Sequence, residues 1–230
     1  MSRQDKIVKY IVFTMNVIVV LAALTGFILL GAVGCGIGAV ISAACAYGIY
    51  RLKKPVTVVH FTGVILLALS LTFTQPLKGV FAWQYGFQKL YIENVGGFEV
   101  NSFFPDELAG YNGSFRSEFM PSIMLEDGWF MISFDTDSIN KYENNFKYTL
   151  RRNNKGFSFS GYEARNGYSD KTIETMRKNG YGEYASEYFM LLDDISDNAV
   201  VYVLYTNCGF DYLNAEIGVI DGDRVYLIKQ

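Results

Sequence analysis

The stretch Tyr10–Tyr50, YIVFTMNVIVVLAALTGFILLGAVGCGIGAVISAACAYGIY, contains 41 residues without a single Asp, Glu, Lys or Arg. As one helix, rising about 1.5 Å per residue, it would be about 60 Å long, twice the thickness of a bilayer's hydrocarbon core. It must therefore fold back. Four glycines stand near its middle, where a turn forms most easily: Gly31, Gly34, Gly36 and Gly38. The stretch predicts a pair of transmembrane helices at about 7–30 and 33–50.

A third apolar segment follows this hairpin. The basic loop 51–54 and Pro55 interrupt the pattern, and residues 56–75 are again uncharged and long enough to span a bilayer. We therefore predict a three-helix transmembrane block over residues 1–77. A cleaved signal peptide is the competing interpretation of residues 1–30, but the apolar stretch is longer than a typical signal and further spans follow it.

The basic residues predict the orientation of this block. Residues 1–55 carry six basic residues and one acid, and the basic residues cluster at the N-terminus and in the loop 51–54. Lys and Arg beside membrane spans remain in the cytoplasm, so both clusters should lie on that face. A third span then places the chain after Gln75 on the extracytoplasmic side of the membrane. The sequence predicts a multi-pass plasma-membrane protein with a cytoplasmic N-terminus and an extracytoplasmic C-terminal domain.

Small residues recur every four positions along the second helix: Gly34, Gly38, Ser42 and Ala46. In lipid, small side chains let helix backbones approach closely, so this ridge predicts helix packing. Packing within the chain is favoured over packing between chains, and the oligomeric state stays open. Apart from Lys9 at the start of the first segment, His60 is the only Asp, Glu, Lys, Arg or His within the three segments, which favours an anchor over a channel or transporter component.

Residues 78–87 form an aromatic junction between the block and the domain. Trp and Tyr favour the headgroup region, so the junction fits an interfacial belt. Its alternation of aromatic with small or polar residues fits a first β-strand equally well. The sequence does not separate these two interpretations.

The composition and residue pattern of residues 88–230 predict a water-soluble α+β domain with an antiparallel sheet. Turn residues recur about every ten positions, and the later segments are rich in strand-forming residues. The predicted strands are 128–134, 156–161, 187–192, 199–206, 216–220 and 224–228, the last two joined at Asp221-Gly222. Two helices are predicted, one from Ile139 after caps in Asp135–Ser138, and one from Ser169 to Asn179.

Several chemistries are excluded for this domain. It has no histidine, which removes Ser-His-Asp and Cys-His catalysis and His-ligated metals. Its single cysteine, Cys208, leaves no internal disulfide and no Cys₄ metal site. Residues 78–230 hold 14 basic and 22 acidic residues, and that sign of charge excludes nucleic acid as a partner. We predict no cofactor, no metal and no catalytic residue. An exported domain without disulfides suits a bacterial envelope.

Acidic residues cluster at three places: Asp135 with Asp137, Asp193 and Asp194 with Asp197, and Asp221 with Asp223. None follows the spacing of a calcium-binding loop, and helix caps or turns explain all three. A pair of facing carboxylates could still hydrolyse a glycosidic bond. A carboxylate-dependent hydrolase acting on an envelope polymer is therefore the alternative function.

The leading hypothesis is a membrane-anchored extracytoplasmic binding or interaction module, an accessory subunit of a bacterial envelope complex. Fourteen of the 17 tyrosines follow residue 80, and tyrosine is common at binding surfaces because it is large, rigid and amphipathic. The candidate binding surface comprises the tyrosines in or beside glycine-rich loops: Tyr162, Tyr168, Tyr181, Tyr184 and Tyr188. The expected partners are the lipid bilayer and an envelope protein.

Overall fold

The computed structural model describes residues 3–51, 77–94, 103–120, 128–153, 155–179, 195–208 and 213–229. The chain divides into two compact units, residues 1–99 and 100–230. The predicted third span at 56–75 and the predicted strand at 187–192 lie outside the described residues.

The N-terminal unit begins with two helices, α1 (Arg3–Leu30) and α2 (Val33–Arg51). The chain reverses at Gly31, which has φ 67° and whose N–H donates to the carbonyl of Phe27 at 3.1 Å. A left-handed residue closing a helix in this way is usually glycine, because a Cβ is strained there. A Cβ at Gly31 would also lie 1.8 Å from the carbonyl oxygen of Lys78, in strand β1 (Leu77–Gly79).

Within the described residues, one helical segment, Lys9–Leu30, is long and apolar enough to cross a membrane. It has 22 residues, and only 17% of its most apolar stretch is buried inside the protein. A signal sequence near the N-terminus would meet the same criteria of length and composition. The helix α2 contains a shorter apolar segment, Cys35–Ala44.

A helix, α3 (Ala82–Asn94), occupies most of the aromatic junction. The strand interpretation of residues 80–87 is therefore wrong, and the helix runs across residue 88, where the sequence placed the start of the α+β domain. The physical reason is a side-chain cap. The Oε1 atom of Gln84 accepts from the backbone N–H groups of Val80 at 3.0 Å and Phe81 at 3.1 Å, which satisfies donors at the start of the helix.

The described residues of the C-terminal unit form six strands that pair antiparallel in the spatial order β2-β3-β7-β6-β5-β4, which confirms the predicted α+β class. The strands are β2 (Tyr111–Met120), β3 (Trp129–Thr136), β4 (Phe157–Ser160), β5 (Val200–Cys208), β6 (Leu213–Asp221) and β7 (Arg224–Lys229). Its helices are α4 (Ile139–Arg152), α5 (Gly161–Asn166) and α6 (Asp170–Lys178).

Both faces of the central strands are buried. On one face, residues such as Ile217 and Ile228 join Met176 of α6 in the main hydrophobic cluster. On the other face, α4 places Phe146 on Gly218, where a Cβ would come within 2.6 Å of the ring. Gly218 is therefore the position that lets α4 pack closely on the sheet.

Three local predictions differ from the structure. The strand β2 was not predicted, because its first four residues are exposed and polar or small. Ser138 precedes α4 but makes no side-chain cap, so the capping prediction is wrong for this residue, although the hydroxyl of Thr136 accepts from the N–H of Ser138 at 3.0 Å. The final hairpin pairs Asp221 with Arg224, so its loop is Gly222-Asp223, one residue later than predicted. Gly222 supplies the positive φ of 60° that this tight loop uses.

Candidate functional site

The helix α3 buries two glutamines beside Tyr85 and Ile92, and it exposes several large apolar side chains. Its buried face carries Gln84 and Gln88, and Gln88 is only 1% exposed. Its exposed face carries Trp83, Phe87 and Leu90, and Leu90 is 61% exposed. A helix on the surface of a water-soluble protein shows the opposite arrangement. The exposed face of α3 is therefore suited to an apolar environment.

Two long-range hydrogen bonds explain why the glutamines are buried. The side-chain amide of Gln84 donates to the carbonyl of Ile28 at 2.7 Å, and that of Gln88 donates to the carbonyl of Leu30 at 2.8 Å. The last four carbonyls of a helix have no partner within it. Two carbonyls at the end of α1 are thus satisfied by α3, which fixes the two helices against each other.

The outer surface of α1 and α2 is also apolar. The exposed side chains include Ile11, Ile18, Leu21, Ile28, Ile37 and Val40. Soluble monomeric proteins rarely expose contiguous apolar patches larger than a few hundred Å². Together with the exposed face of α3, these residues give the N-terminal unit an apolar exterior.

A groove of about 500 Å³ lies between α1 and α3, and we call it the α1–α3 groove. It is lined by Thr25, Gly26, Leu29 and Leu30 from α1 and by Phe87, Leu90, Tyr91 and Asn94 from α3. Its volume falls in the range of about 300–1,000 Å³ that is typical of ligand sites. The lining is almost entirely apolar, so the groove favours an apolar ligand.

The structure describes the surroundings of two of the four residues in the small-residue ridge predicted on α2. Gly38 and Ser42 are buried, and Cys35, one turn earlier, is buried as well. A Cβ on Gly26 of α1 would lie 3.0 Å from the Sγ atom of Cys35, so this side of α2 approaches α1 closely. Gly34 and Ala46 belong to α2, but their surroundings lie outside the description.

The structure describes two of the five candidate surface tyrosines. Tyr162 in α5 is 57% exposed. Tyr168 is partly buried against the main cluster, with its ring edge-on to Phe159 at 5.2 Å between centroids. Burial and the nearby carboxylate of Glu163 raise the pKa of Tyr168 to about 12. Tyr181, Tyr184 and Tyr188 lie outside the described residues.

Four carboxylates of the acidic clusters, Asp135, Asp137, Asp197 and Asp221, are engaged in structural contacts, whereas Asp193 and Asp194 lie outside the described residues. Asp135 accepts from the hydroxyl and N–H of Ser114 at 2.6 and 2.9 Å and from Nε of Arg224 at 2.8 Å. These hydrogen bonds lower the pKa of Asp135 to about 2. Asp137 accepts from Asn112, and Asp221 accepts from the N–H of Ser196. No group of three potential metal ligands occurs among the residues that the structure describes.

The carboxylate of Glu163 bonds groups at the start of both α5 and α6. This link between the two helices was not predicted from the sequence. The carboxylate accepts from the hydroxyls of Ser169 at 2.6 Å and Thr172 at 2.8 Å, and from the N–H of Ser160 at 3.2 Å. Burial opposes ionisation of this carboxyl, but the hydrogen bonds outweigh it and lower its pKa to about 2. The geometry is that of a capping box extended to a second helix, and it is structural.

Sequence reasoning missed Gln84 and Gln88, the residues that build the groove. The available signal was their spacing of four residues in a segment that is otherwise rich in large apolar side chains. That spacing places both amides on one helical face, beside the buried Tyr85 and away from the exposed Trp83. No family model matches the chain, and no curated protein or solved structure matches it either.

Proposed function

We propose that this chain is a membrane-anchored extracytoplasmic binding or interaction module that serves as an accessory subunit in a bacterial envelope. The observation that carries the proposal is the helix α3, which buries Gln84 and Gln88 while it exposes Trp83, Phe87 and Leu90. In a bilayer, both faces of α3 would lie in a favourable environment. The apolar face contacts lipid, and the amides satisfy backbone carbonyls that have no access to water.

The anchor in this proposal consists of three spans, at 7–30, 33–50 and 56–75. The sparse burial of the segment Lys9–Leu30 supports its insertion, because a core helix of a soluble protein would be mostly buried. The basic residues at the N-terminus and in the loop 51–54 support a cytoplasmic location for both. The helix α3 then lies at the extracytoplasmic headgroup region, where Trp is favoured.

The exported unit supplies the binding surface in this proposal. Its described carboxylates Asp135, Glu163 and Asp221 are occupied by hydrogen bonds that hold strands and helices together. This occupation favours binding over carboxylate-dependent hydrolysis. Exposed aromatic side chains such as Tyr148 and Tyr162 support a protein partner, since aromatic residues are enriched at interfaces.

Cysteine labelling in intact cells tests the orientation. In a variant without the three native cysteines, Lys53→Cys should resist an impermeant maleimide until the membrane is permeabilised. The exposed position Lys155→Cys should label without permeabilisation and serves as the matched control. Labelling of Lys53→Cys in intact cells, or protection of Lys155→Cys, would overturn the proposed topology.

A further inference from the structure

We propose that the α1–α3 groove binds one acyl chain of a membrane phospholipid. This inference rests on the proposed membrane function and adds a specific ligand to it. The groove has about 500 Å³, a volume comparable to that of ligand sites. Its walls include Leu29 and Leu30 from α1 and Phe87 and Leu90 from α3, which offer dispersion contacts to a hydrocarbon chain.

Two polar side chains at the groove, Thr25 and Asn94, are already engaged with their own helices. The hydroxyl of Thr25 donates to the carbonyl of Leu21 at 2.9 Å. The amide of Asn94 donates to the carbonyl of Leu90 at 2.8 Å. An alkyl chain leaves both bonds intact and meets an almost entirely apolar lining, which offers a polar ligand few hydrogen-bond partners. The chemistry of the groove therefore selects hydrocarbon.

The position of the groove supports a lipid as the source of that hydrocarbon. One wall is the end of the apolar segment Lys9–Leu30, and the other belongs to the helix that exposes Trp83. The ring of Trp83 contacts that of Phe87, with 6.3 Å between centroids, so the aromatic face is continuous with the groove. In the proposed arrangement, a phospholipid beside α1 reaches the groove without passing through water.

The two walls of the groove are held in place by hydrogen bonds of α3 and not by contacts among the lining residues. Gln84 and Gln88 attach α3 to the carbonyls of Ile28 and Leu30 from the buried side of the helix. The exposed side, which carries Phe87 and Leu90, is left to form the wall. A preformed groove lowers the entropic cost of binding a flexible chain.

Retained phospholipid provides the test. The full chain is purified in detergent, and bound phosphate is measured per protein. Wild type should retain about one phospholipid per chain, as a single groove of this size implies. Thr25→Phe, which places a ring in the groove, should lose it. Thr14→Phe adds the same ring at another exposed threonine of α1 and should retain it. Absence of lipid in the wild type, or equal retention in both variants, would overturn the proposal.

A second pair of variants guards against a folding defect in the first. Leu90→Glu introduces a charge at an exposed position of the groove, and Val80→Glu introduces one at an exposed position outside it. Loss of phospholipid from Leu90→Glu alone supports the groove. Equal loss from both, or from neither, contradicts it.

Fluorescence quenching shows whether the groove proposal alone is wrong or the membrane proposal is wrong as well. The chain has two tryptophans, so Trp129→Phe leaves Trp83 as the only reporter. Phospholipids with brominated acyl chains should quench Trp83 in liposomes in both threonine variants. If quenching occurs but phospholipid retention does not depend on Thr25, the groove proposal alone is wrong. If Trp83 is not quenched, the proposed membrane location fails, and the groove proposal fails with it.

Discussion

At the residue scale, Asp135 is the clearest example of a charge used to hold strands together. It lies in β3, and its carboxylate bonds Ser114 of β2 and Arg224 of β7. The side chain is 31% exposed, so solvent reduces the strength of these interactions. Three neighbouring strands are nevertheless joined at one end by a single carboxylate.

The first prediction concerns pH. The pKa of Asp135 is about 2 in the folded chain, below the value of about 3.9 expected when unfolded, so ionised Asp135 stabilises the fold. That stabilisation is complete above about pH 4 and is lost as pH falls towards 2. Asp135→Asn should therefore lower the free energy of unfolding by about 1 kcal/mol at pH 7, with a smaller difference at low pH.

Urea unfolding checks this prediction, with Trp129 of β3 as the fluorescent probe in a Trp83→Phe background. Asp223→Asn removes an exposed carboxylate from the same end of the sheet and controls for the change in net charge. A difference between Asp135→Asn and its parent that stays constant from pH 7 to pH 3 would contradict the assignment.

At the scale of elements, the contact between α3 and α1 depends on amide caps. Gln88→Leu keeps a similar volume but leaves the carbonyl of Leu30 without its side-chain donor. An unsatisfied buried polar group costs about 1–3 kcal/mol, so thermal unfolding of the full chain in detergent should occur at a lower temperature. Glu93→Leu changes an exposed position on the same helix and should have little effect. Equal unfolding temperatures for the two variants would show that the cap contributes nothing.

The elements also show where sequence reasoning succeeds. The strand β3, the helix α6 with Ser169 as its N-cap, and the β6–β7 hairpin were predicted because each carries a local signal, namely an apolar run, a capping residue or a turn pair. The helix α3 was missed because its pattern depends on a distant partner, and the strand β2 was missed because its first four residues are exposed. Gln84 and Gln88 look misplaced until the end of α1 is beside them.

At the scale of the whole molecule, the division into two units predicts that the second one folds alone. Where the structure describes residues 100–230, their antiparallel strands carry a cluster of buried side chains on one face and the packed helix α4 on the other. A chain of this size can bury its own core. Expressed without the N-terminal unit, it should be soluble, monomeric and cooperatively folded without added metal.

Size-exclusion chromatography and urea unfolding monitored by circular dichroism test this autonomy. Gly218→Ala in the same fragment is a useful companion, because a Cβ there would press on Phe146 and overpacking costs about 1–3 kcal/mol. Persistent aggregation of the unmodified fragment would show that it depends on the N-terminal unit or on a partner.

Each amide cap joins two residues that are far apart in the sequence, and this separation has a consequence for biosynthesis. Gln84 and Gln88 lie 56 and 58 residues after the carbonyls that they satisfy. At about 5–20 residues per second, a ribosome takes several seconds to add that length of chain. During this interval the newly made helix α1 has no cap from α3 at its end. The two carbonyls at the end of α1 therefore gain these side-chain donors only after α3 has been translated, which makes the packing of α1 against α3 a late event in synthesis.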